Sequence, residues 1–321
     1  MKPIKIYKDE ALGPSYFVVD WMLHDRCTYD CSYCPPGNKR GTDSWLKLDV
    51  VTKFCEQLEK HVAQVAPNSK IHCWFTGGEP TVWKDFSKLV DILSARGWYL
   101  SVNSNGSRSV RWWEENAKKF NIITLSYHTE GVEDDDAFLE KVAICERHTK
   151  TGVNVMLNPN DIWFRKAIRF GQRLEVSIPE VGIVYRKIQH NFGLQEINVK
   201  EYDQSHLEKI PTLTNRSPSN RHDSTHDNWT VKFDDGTITR CNGEEITRNN
   251  HANFWGWKCK VGLDSVFVDS AGRLSRGTCR VEGTFGNILD PDNIQWPTTA
   301  VKCPYTWCGC ITDILNEKEA P

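Results

Sequence analysis

Residues 16–34 read YFVVDWMLHDRCTYDCSYC, an apolar run that leads directly into three cysteines. The first eight residues of this stretch have the composition of a buried β-strand. Cys27, Cys31 and Cys34 follow, with three residues and then two between them. Structural zinc ions and ordinary four-iron clusters take four ligands from protein. The spacing therefore predicts a metal centre at which a further ligand completes the set.

Alternating strand and helix patterns continue from this stretch to about residue 188. The predicted strands after the first are IHCWF, WYLSVN, IITLSYH, VNVMLNP and VGIVYRKI. Between the first two strands, VVTKFCEQLEKHV places apolar residues three or four apart, as a helix does. Another helix is predicted from about Trp83 to Arg96, and others lie between the later strands. Six strands separated by helices predict an α/β fold with a parallel sheet, as an open or partial barrel.

Polar and cysteine-containing motifs follow the predicted strands at their C-terminal ends. TGGEP (76–80) follows the second strand, SNG (104–106) the third, and SYHTE (126–130) overlaps the end of the fourth. Chemistry in such folds collects at the C-terminal ends of the strands. We therefore expect these motifs to meet the three cysteines.

Composition excludes several classes of protein. The 321 residues carry a net charge of −2, which provides no long-range attraction for nucleic acid or an anionic membrane. The N-terminus MKPIKIYKDE lacks the apolar core of a signal peptide, and no run reaches the length of a membrane span. We predict a cytoplasmic protein, in which twelve cysteines are metal ligands or buried thiols rather than disulfides. Cys55, Cys73 and Cys145 are predicted to be core residues.

CTYDCSYC followed by TGGEP resembles the radical S-adenosylmethionine (radical SAM) enzymes over roughly residues 15–190. The resemblance implies a partial (βα)6 TIM-like barrel whose three cysteines hold a [4Fe–4S] cluster. S-adenosylmethionine (AdoMet) binds the fourth iron in that family and is reductively cleaved to a 5′-deoxyadenosyl radical, which abstracts hydrogen from a substrate. The alternative for the same cysteines is a zinc site with His24 as a fourth ligand.

The resemblance also implies roles for residues around the cofactor. The aromatic ring before the last cysteine lies against adenine, the glycine pair lets the backbone approach the methionine group, and the following glutamate accepts from its ammonium. The polar strand ends contact ribose and carboxylate. These cofactor-binding positions are Tyr33, Gly77, Gly78, Glu79, Ser104, Asn105 and Ser126. His128 and Glu130 are candidates for a catalytic acid or base. A core tyrosine, simple glycine turns and a solvated loop pair are the alternatives.

The C-terminal tail holds five cysteines within 52 residues, which we call the auxiliary cysteines: Cys259, Cys279, Cys303, Cys308 and Cys310. A hairpin turning at DSAG would bring the first two together, and GTFGNI (283–288) is predicted as a supporting turn. The tail is similar to the SPASM and twitch domains of the same superfamily, which implies one auxiliary [4Fe–4S] cluster in a twitch-like arrangement. Cys259 and Cys279 plus two of the remaining three would ligate it; a zinc ribbon is the alternative.

We therefore predict three regions: residues 1–190 as the core barrel, 191–250 as a polar linker with a bridging hairpin at Asp235-Gly236, and 251–321 as the auxiliary domain. The expected substrate is a peptide or protein side chain, with dehydrogenation of a sugar or aminocyclitol as the alternative. Only 26 residues precede Cys27, which is too few for a peptide-binding module. The expected electron donor is a flavodoxin or ferredoxin. Nucleic-acid modification is less favoured, and a non-catalytic iron–sulfur or zinc module belongs to a different class.

Overall fold

A computed structural model describes residues 1–9, 15–188, 191–192, 195–196, 201–216, 229–240 and 243–321. The chain forms two compact units, each assembled from separate segments of the sequence. The first unit comprises Met1–Met22, Leu46–Trp74 and Asp223–Pro321, and the second comprises Leu23–Trp45 and Phe75–His222. The three regions read from the sequence, with boundaries at 190 and 250, stay a prediction.

The strands are β1 (Pro3–Lys8), β2 (Tyr16–Met22), β3 (Lys70–Thr76), β4 (Tyr99–Ser104), β5 (Ile122–Tyr127), β6 (Lys150–Leu157), β7 (Gly182–Lys187), β8 (Asn191–Phe192), β9 (Gln195–Glu196), β10 (Trp229–Phe233), β11 (Ile238–Arg240), β12 (Lys258–Cys259), β13 (Ser265–Val268), β14 (Arg273–Ser275), β15 (Thr284–Asn287), β16 (Val301–Lys302) and β17 (Lys318–Glu319). The α-helices are α1 (Leu48–Val65), α2 (Phe86–Ala95), α3 (Val110–Asn116), α4 (Asp135–His148), α5 (Asp161–Ser177), α6 (Gln204–Lys209), α7 (Gly243–Arg248) and α8 (Ile311–Ile314). The predicted alternation of strand and helix from β2 to β7 is confirmed.

In the second unit, β4, β5, β6 and β7 lie side by side in that order and pair in parallel. Helices connect them because parallel neighbours need a crossover. Aromatic rings pack helices α4 and α5 onto this sheet. Tyr127 stacks on Phe170 with ring centroids 3.8 Å apart, and Phe138 meets both rings edge-on. The parallel arrangement leaves the C-terminal ends of these strands at one edge of the sheet.

In the first unit, strands run in the order β15-β14-β13-β2-β3. The predicted hairpin of β13 and β14 is present, and Gly272 takes φ +77° in its turn. β13 also pairs in parallel with β2, which the local pattern does not indicate. All four residues of β13 are buried, as suits a strand with neighbours on both edges. The turn predicted at 283–288 is wrong, because β15 pairs with β14 there.

A second sheet of the first unit has the order β11-β10-β1-β17-β12-β16. The hairpin at Asp235-Gly236 is confirmed, and Gly236 takes φ +87°. β1 was not predicted, because its partners β10 and β17 lie more than 200 residues away. Ile6 of β1 packs with Trp229, Phe254 and Trp257 in a hydrophobic core. The partly buried Cys303 and Cys308 pack against this core.

Helix boundaries follow local signals. α1 buries the apolar face that the spacing predicts. The Asp134 side chain accepts from the first backbone N–H groups of α4, and Asn160 does the same for α5. α2 begins at Phe86, three residues after the predicted start, because a 3₁₀ turn occupies Pro80–Val82. Within the described ranges, no helix has the length and apolar character that crossing a membrane requires.

Candidate functional site

The predicted cofactor-binding positions all lie in the second unit, at or after the ends of strands. The cysteine loop, which we define as residues 27–34, follows β2, and Gly77 follows β3. Ser104 ends β4 and Asn105 comes next, while His128 comes directly after β5. Hydrogen bonds described below join these segments. Asn105 contacts Cys27, as expected of a strand-end motif, whereas His128 and Glu130 contact other residues of the cysteine loop, Tyr33 and Ser32.

Gly77 and Gly78 allow the end of β3 to lie directly against the segment that enters the cysteine loop. A Cβ atom on Gly77, whose φ is +124°, would lie 2.4 Å from the carbonyl oxygen of His24. A Cβ atom on Gly78 would lie 2.1 Å from that of Arg26. The backbone N–H of Gly78 donates to His24 and that of Glu79 donates to Arg26, both at 2.8 Å. The glycines therefore position the start of the cysteine loop by backbone pairing.

Glu79 is completely buried, and four protein groups donate to its carboxylate. Oε1 accepts from the Thr81 N–H at 3.2 Å, the Thr81 hydroxyl at 2.6 Å and the Ser104 hydroxyl at 2.8 Å. Oε2 accepts from the Asn105 N–H at 2.6 Å. Burial raises the pKa of the carboxyl group, while the bonds from Thr81, Asn105 and Ser104 oppose that rise. Glu79 thus joins the ends of β3 and β4.

Asn105 connects this junction to the first cysteine. Its Nδ2 donates to the Cys27 Sγ at 3.4 Å and to the Thr28 hydroxyl at 3.1 Å. The Tyr29 N–H also donates to the Cys27 Sγ, at 3.4 Å. Burial raises the pKa of Cys31 to about 12 and of Cys34 to about 11. Burial thus disfavours the thiolate form, whereas hydrogen bonds to sulfur favour it, and a bound cation would favour it further.

Tyr33 and His128 form an aromatic pair beside the cysteines. The Tyr33 hydroxyl lies 2.6 Å from His128 Nδ1, and the two rings stack with centroids 5.9 Å apart. Tyr29 meets the His128 ring edge-on. Burial lowers the pKa of His128 to about 4, so its imidazole is neutral near pH 7. Tyr33 itself is buried against Cys31 and Ile188.

Glu130 also contacts the cysteine loop. Its carboxylate accepts from the Ser32 N–H and the Ser32 hydroxyl, each at 2.7 Å, and from the Asn158 amide. On the other side of the loop, the Lys39 ammonium donates to the Cys31 carbonyl at 2.7 Å. The sequence reading missed Ser32, Asn158 and Lys39. Asn158 follows β6 directly, so the rule of polar strand ends would have found it.

Ser126 lies on β5, in register with Asn154 on β6. Alternation along β5 places Ser126 on the same face of the sheet as Thr124. His24, the alternative zinc ligand, is fully buried, and its Nδ1 accepts from the Arg26 N–H at 3.1 Å. The His24 Nδ1 atom is therefore already engaged in a hydrogen bond with the backbone two residues further along.

The spacing of ligand atoms is one criterion for a single-ion site. Thiolates around a tetrahedral zinc ion lie about 3.8 Å apart, given a Zn–S distance of about 2.3 Å. Among the described His, Cys, Asp and Glu residues, only Asp161, Asp203 and His206 bring three ligand atoms within 4.8 Å of one another. Neither the cysteine loop nor the auxiliary cysteines are that closely grouped. The choice between an iron–sulfur cluster and zinc stays a prediction for both sets.

The auxiliary cysteines lie in the first unit, and charge effects on the pKa values link all five of them. Burial raises the pKa of Cys279 to about 12, with contributions from Asp313, Cys259 and Cys303. Burial likewise raises the pKa of Cys308 to about 12, with Asp313 and Cys279 among the other causes. The Tyr305 hydroxyl donates to the Cys279 carbonyl at 2.9 Å.

Cys310 has different surroundings. Its Sγ lies 2.8 Å from the Thr312 hydroxyl, which in turn donates to Asp20 at 2.9 Å. Burial raises the pKa of Cys310 to about 11, with Asp313 and Asp20 adding to the effect.

Comparison with known proteins places the second unit in context. Residues 21–149 match the model of the Radical SAM superfamily. The chain therefore carries a radical SAM domain, and the resemblance read from the sequence is confirmed. Proteins of this superfamily hold a [4Fe–4S] cluster and bind AdoMet, which the three thiols and their N–H donors fit. The SPASM or twitch character of the tail stays a prediction.

Curated relatives match over limited segments. A GTP 3′,8-cyclase of Photorhabdus laumondii is 27% identical over 173 residues, covering 48% of this chain and 50% of the relative. A 7-carboxy-7-deazaguanine synthase of Bacteroides thetaiotaomicron is 30% identical over 90 residues, covering 27% of this chain and 42% of the relative. The chain thus matches half or less of the length of these relatives.

Solved structures share the fold more completely. The anSMEcpe enzyme with bound AdoMet aligns with a TM-score of 0.52 at 15% identity, covering 86% of this chain and 76% of its own. Streptococcus suis SuiB bound to its precursor peptide SuiA aligns with a TM-score of 0.50 at 13% identity, covering 86% and 63%. At this identity the likeness shows the fold alone. The predicted α/β partial-barrel class is confirmed.

Proposed function

We propose that this protein is a radical SAM enzyme that reductively cleaves AdoMet and abstracts hydrogen from a peptide or protein side chain. When bound, the cluster and AdoMet supply a 5′-deoxyadenosyl radical for that abstraction. The observation that carries the proposal is the trio of thiols on the cysteine loop. They lie within eight residues of one loop, and Cys27 accepts two N–H hydrogen bonds at its sulfur.

The surrounding residues hold this loop and its donors in place. Gly77 and Gly78 keep the entering backbone paired with the end of β3, and Glu79 fixes the Asn105 backbone whose side chain donates to Cys27. Tyr33 is held by His128 through the contact between its hydroxyl and Nδ1. We assign Tyr33, Gly77, Gly78, Glu79, Ser104, Asn105 and Ser126 to the binding and positioning of AdoMet. Residues that act through backbone pairing contribute by preorganisation.

We further propose one auxiliary [4Fe–4S] cluster ligated by Cys259, Cys279, Cys303 and Cys308. Charge effects on the pKa values link all five thiols, and the contact of the Cys310 sulfur with the Thr312 hydroxyl favours the other four as ligands. When bound, such a cluster supplies a site that accepts the electron left on the substrate after hydrogen abstraction. A flavodoxin or ferredoxin would reduce the enzyme in the cytoplasm.

Exposed aromatic side chains near the auxiliary cysteines support a peptide substrate. Trp255 is 65% exposed and Trp307 is 51% exposed, although apolar rings of this size are usually covered. The Gly256 N–H donates to the Cys303 carbonyl, so Trp255 lies one residue from that contact. Such rings offer contact area to an extended chain. The alternative, oxidation of a small polar molecule, is favoured by the curated relatives, whose names describe a GTP cyclase and a deazaguanine synthase.

The proposal predicts that anaerobically reconstituted protein forms 5′-deoxyadenosine from AdoMet after dithionite is added. Cys27→Ala, Cys31→Ala and Cys34→Ala should each abolish that product and lower bound iron by about one cluster. Full activity in any of the three would contradict the ligand assignment. An intact cluster without 5′-deoxyadenosine would favour the non-catalytic module. Zinc in place of iron in air-free material would contradict the enzyme proposal and favour a zinc-binding module.

Product masses decide the substrate class. Incubation with peptides encoded beside the gene should give a mass change in a peptide. Loss of two hydrogens from a sugar alcohol or aminocyclitol instead would exclude the peptide proposal. In the same assay, Cys279→Ala should lose the auxiliary cluster and the product while 5′-deoxyadenosine still forms.

A further inference from the structure

Glu130 has both carboxylate oxygens directed at one residue of the cysteine loop. Oε2 accepts from the Ser32 backbone N–H and Oε1 accepts from the Ser32 hydroxyl, each at 2.7 Å. Ser32 lies between Cys31 and Cys34, which are themselves joined by a bond from the Cys34 N–H to the Cys31 carbonyl at 3.1 Å. The carboxylate is therefore one hydrogen bond away from the backbone that carries two of the three thiols.

The Glu130 side chain is anchored at its other end by ordered structure. Asn158, almost completely buried after β6, donates to Oε1 through its amide. Its own Oδ1 accepts from the Asn160 N–H at 2.8 Å, and Asn160 caps α5. The backbone around Glu130 is a turn, in which the N–H groups of residues 131 and 132 both donate to the His128 carbonyl at 2.9 Å. These contacts hold the Glu130 carboxylate between the cysteine loop and the start of α5.

Lys39 holds the opposite side of the same peptide. Its ammonium donates to the Cys31 carbonyl at 2.7 Å and pairs with Asp30 at 2.8 Å. The peptide unit between Cys31 and Ser32 thus donates its N–H to Glu130 and accepts at its carbonyl from Lys39. The Glu130 carboxylate and the Lys39 ammonium therefore bind the two polar groups of the same peptide plane, which fixes its orientation.

We infer that Glu130 is a positioning residue that orders the cysteine loop and whose negative charge lowers the reduction potential of the cluster bound there. The inference rests on the proposed function, because it assumes a cluster on Cys27, Cys31 and Cys34. Ordering follows from the two bonds to Ser32, since removing the carboxylate that accepts both of them frees this part of the loop. The potential follows from Coulomb's law, because a nearby anion disfavours an added electron.

The ordering role is tested by hydrogen exchange in the cluster-free protein, which does not depend on the proposed function. Glu130→Gln should speed exchange of the Ser32 amide by roughly tenfold to a hundredfold, the change expected from losing a bond to a charged acceptor. The matched control is Glu133→Gln, an exposed glutamate in the same loop, which should leave that amide unchanged. Equal exchange in Glu130→Gln and wild type would overturn the inference.

The electrostatic role is tested by an EPR-monitored redox titration of the loaded protein without AdoMet. Glu130→Gln should shift the midpoint potential to a more positive value. Ser32→Ala keeps the charge and should stay near wild type, although it loses one hydrogen bond. An unchanged potential in Glu130→Gln would overturn this part.

Two further outcomes separate the possibilities. If Glu130→Gln does not fold, Asn158→Ala replaces it: this variant removes one donor but keeps the charge, so it should speed exchange without moving the potential. If Glu130 were instead a catalytic acid or base, Glu130→Gln would lose product with exchange and potential unchanged, which contradicts the inference. Failure to load a cluster into wild type would contradict the proposed function, while the exchange result still decides the ordering role.

Discussion

Substitution of Glu79 by glutamine provides the sharpest test of how the site is held together. The side chain is fully buried, and every group within hydrogen-bonding reach that we describe around it is a donor, from Thr81, Ser104 and Asn105. A carboxylate accepts at both oxygens, whereas an amide has one oxygen and one NH₂. If the glutamine oxygen takes the place of Oε1, it keeps the three donors from Thr81 and Ser104. Its NH₂ group then faces the Asn105 N–H, so two donors oppose each other.

The cost follows from that mismatch. A bond to a charged acceptor contributes about 1.5–3 kcal/mol, and a buried donor without a partner costs a similar amount. We therefore expect Glu79→Gln to lower the free energy of unfolding by about 2–3 kcal/mol. Because the Asn105 amide also donates to Cys27, displacement of its backbone should weaken iron loading as well.

The assay is urea unfolding of the cluster-free protein under anaerobic conditions, followed by tryptophan fluorescence. Glu140→Gln, an exposed change on α4, is the control and should stay within about 0.5 kcal/mol of wild type. A Glu79→Gln variant as stable as this control would refute the reasoning. In that case, weaker AdoMet binding with unchanged stability would favour direct contact between Glu79 and the ammonium group of AdoMet.

The remaining predictions concern the loop, the tail and one buried carboxyl group. Gly78→Ala should lower iron content and stability, because its Cβ would lie 2.1 Å from a backbone oxygen. In the control, Gly37→Ala, the added Cβ meets open space, so this variant should bind iron as the wild type does. Equal iron content in the two variants would contradict the backbone pairing. Cys310→Ser should retain two clusters, and loss of about four irons per chain would show that it is a ligand. Burial raises the pKa of Asp20 from 3.8 to about 7, so the folded state keeps a proton that the unfolded chain loses. The free energy of unfolding should therefore fall as pH rises between those values, by up to about 1.4 kcal/mol per unit, and Asp20→Asn should remove this slope in urea titrations.

Much of the second unit could be predicted because its signals are local. The periodic spacing of apolar residues indicates the alternation of strand and helix, and the three cysteines lie within eight residues. The rule that polar groups collect at the ends of parallel strands then links Asn105 and His128 to the cysteines. The contacts that Glu79 makes with Ser104 and Glu130 makes with Ser32 could not be predicted, since these partners lie 25 and 98 residues away along the chain.

The amino-acid sequence by itself determined the three thiols, the glycine pair and the parallel α/β architecture, because each depends on neighbours a few residues apart. Only the tertiary structure decided that β1 pairs with β10 and β17, that β13 joins β2, and that Cys310 lies against Thr312. Those outcomes depend on which distant backbone and side-chain groups satisfy each other's hydrogen bonds once water is removed. Composition and spacing along the chain do not indicate which distant groups will pair in this way.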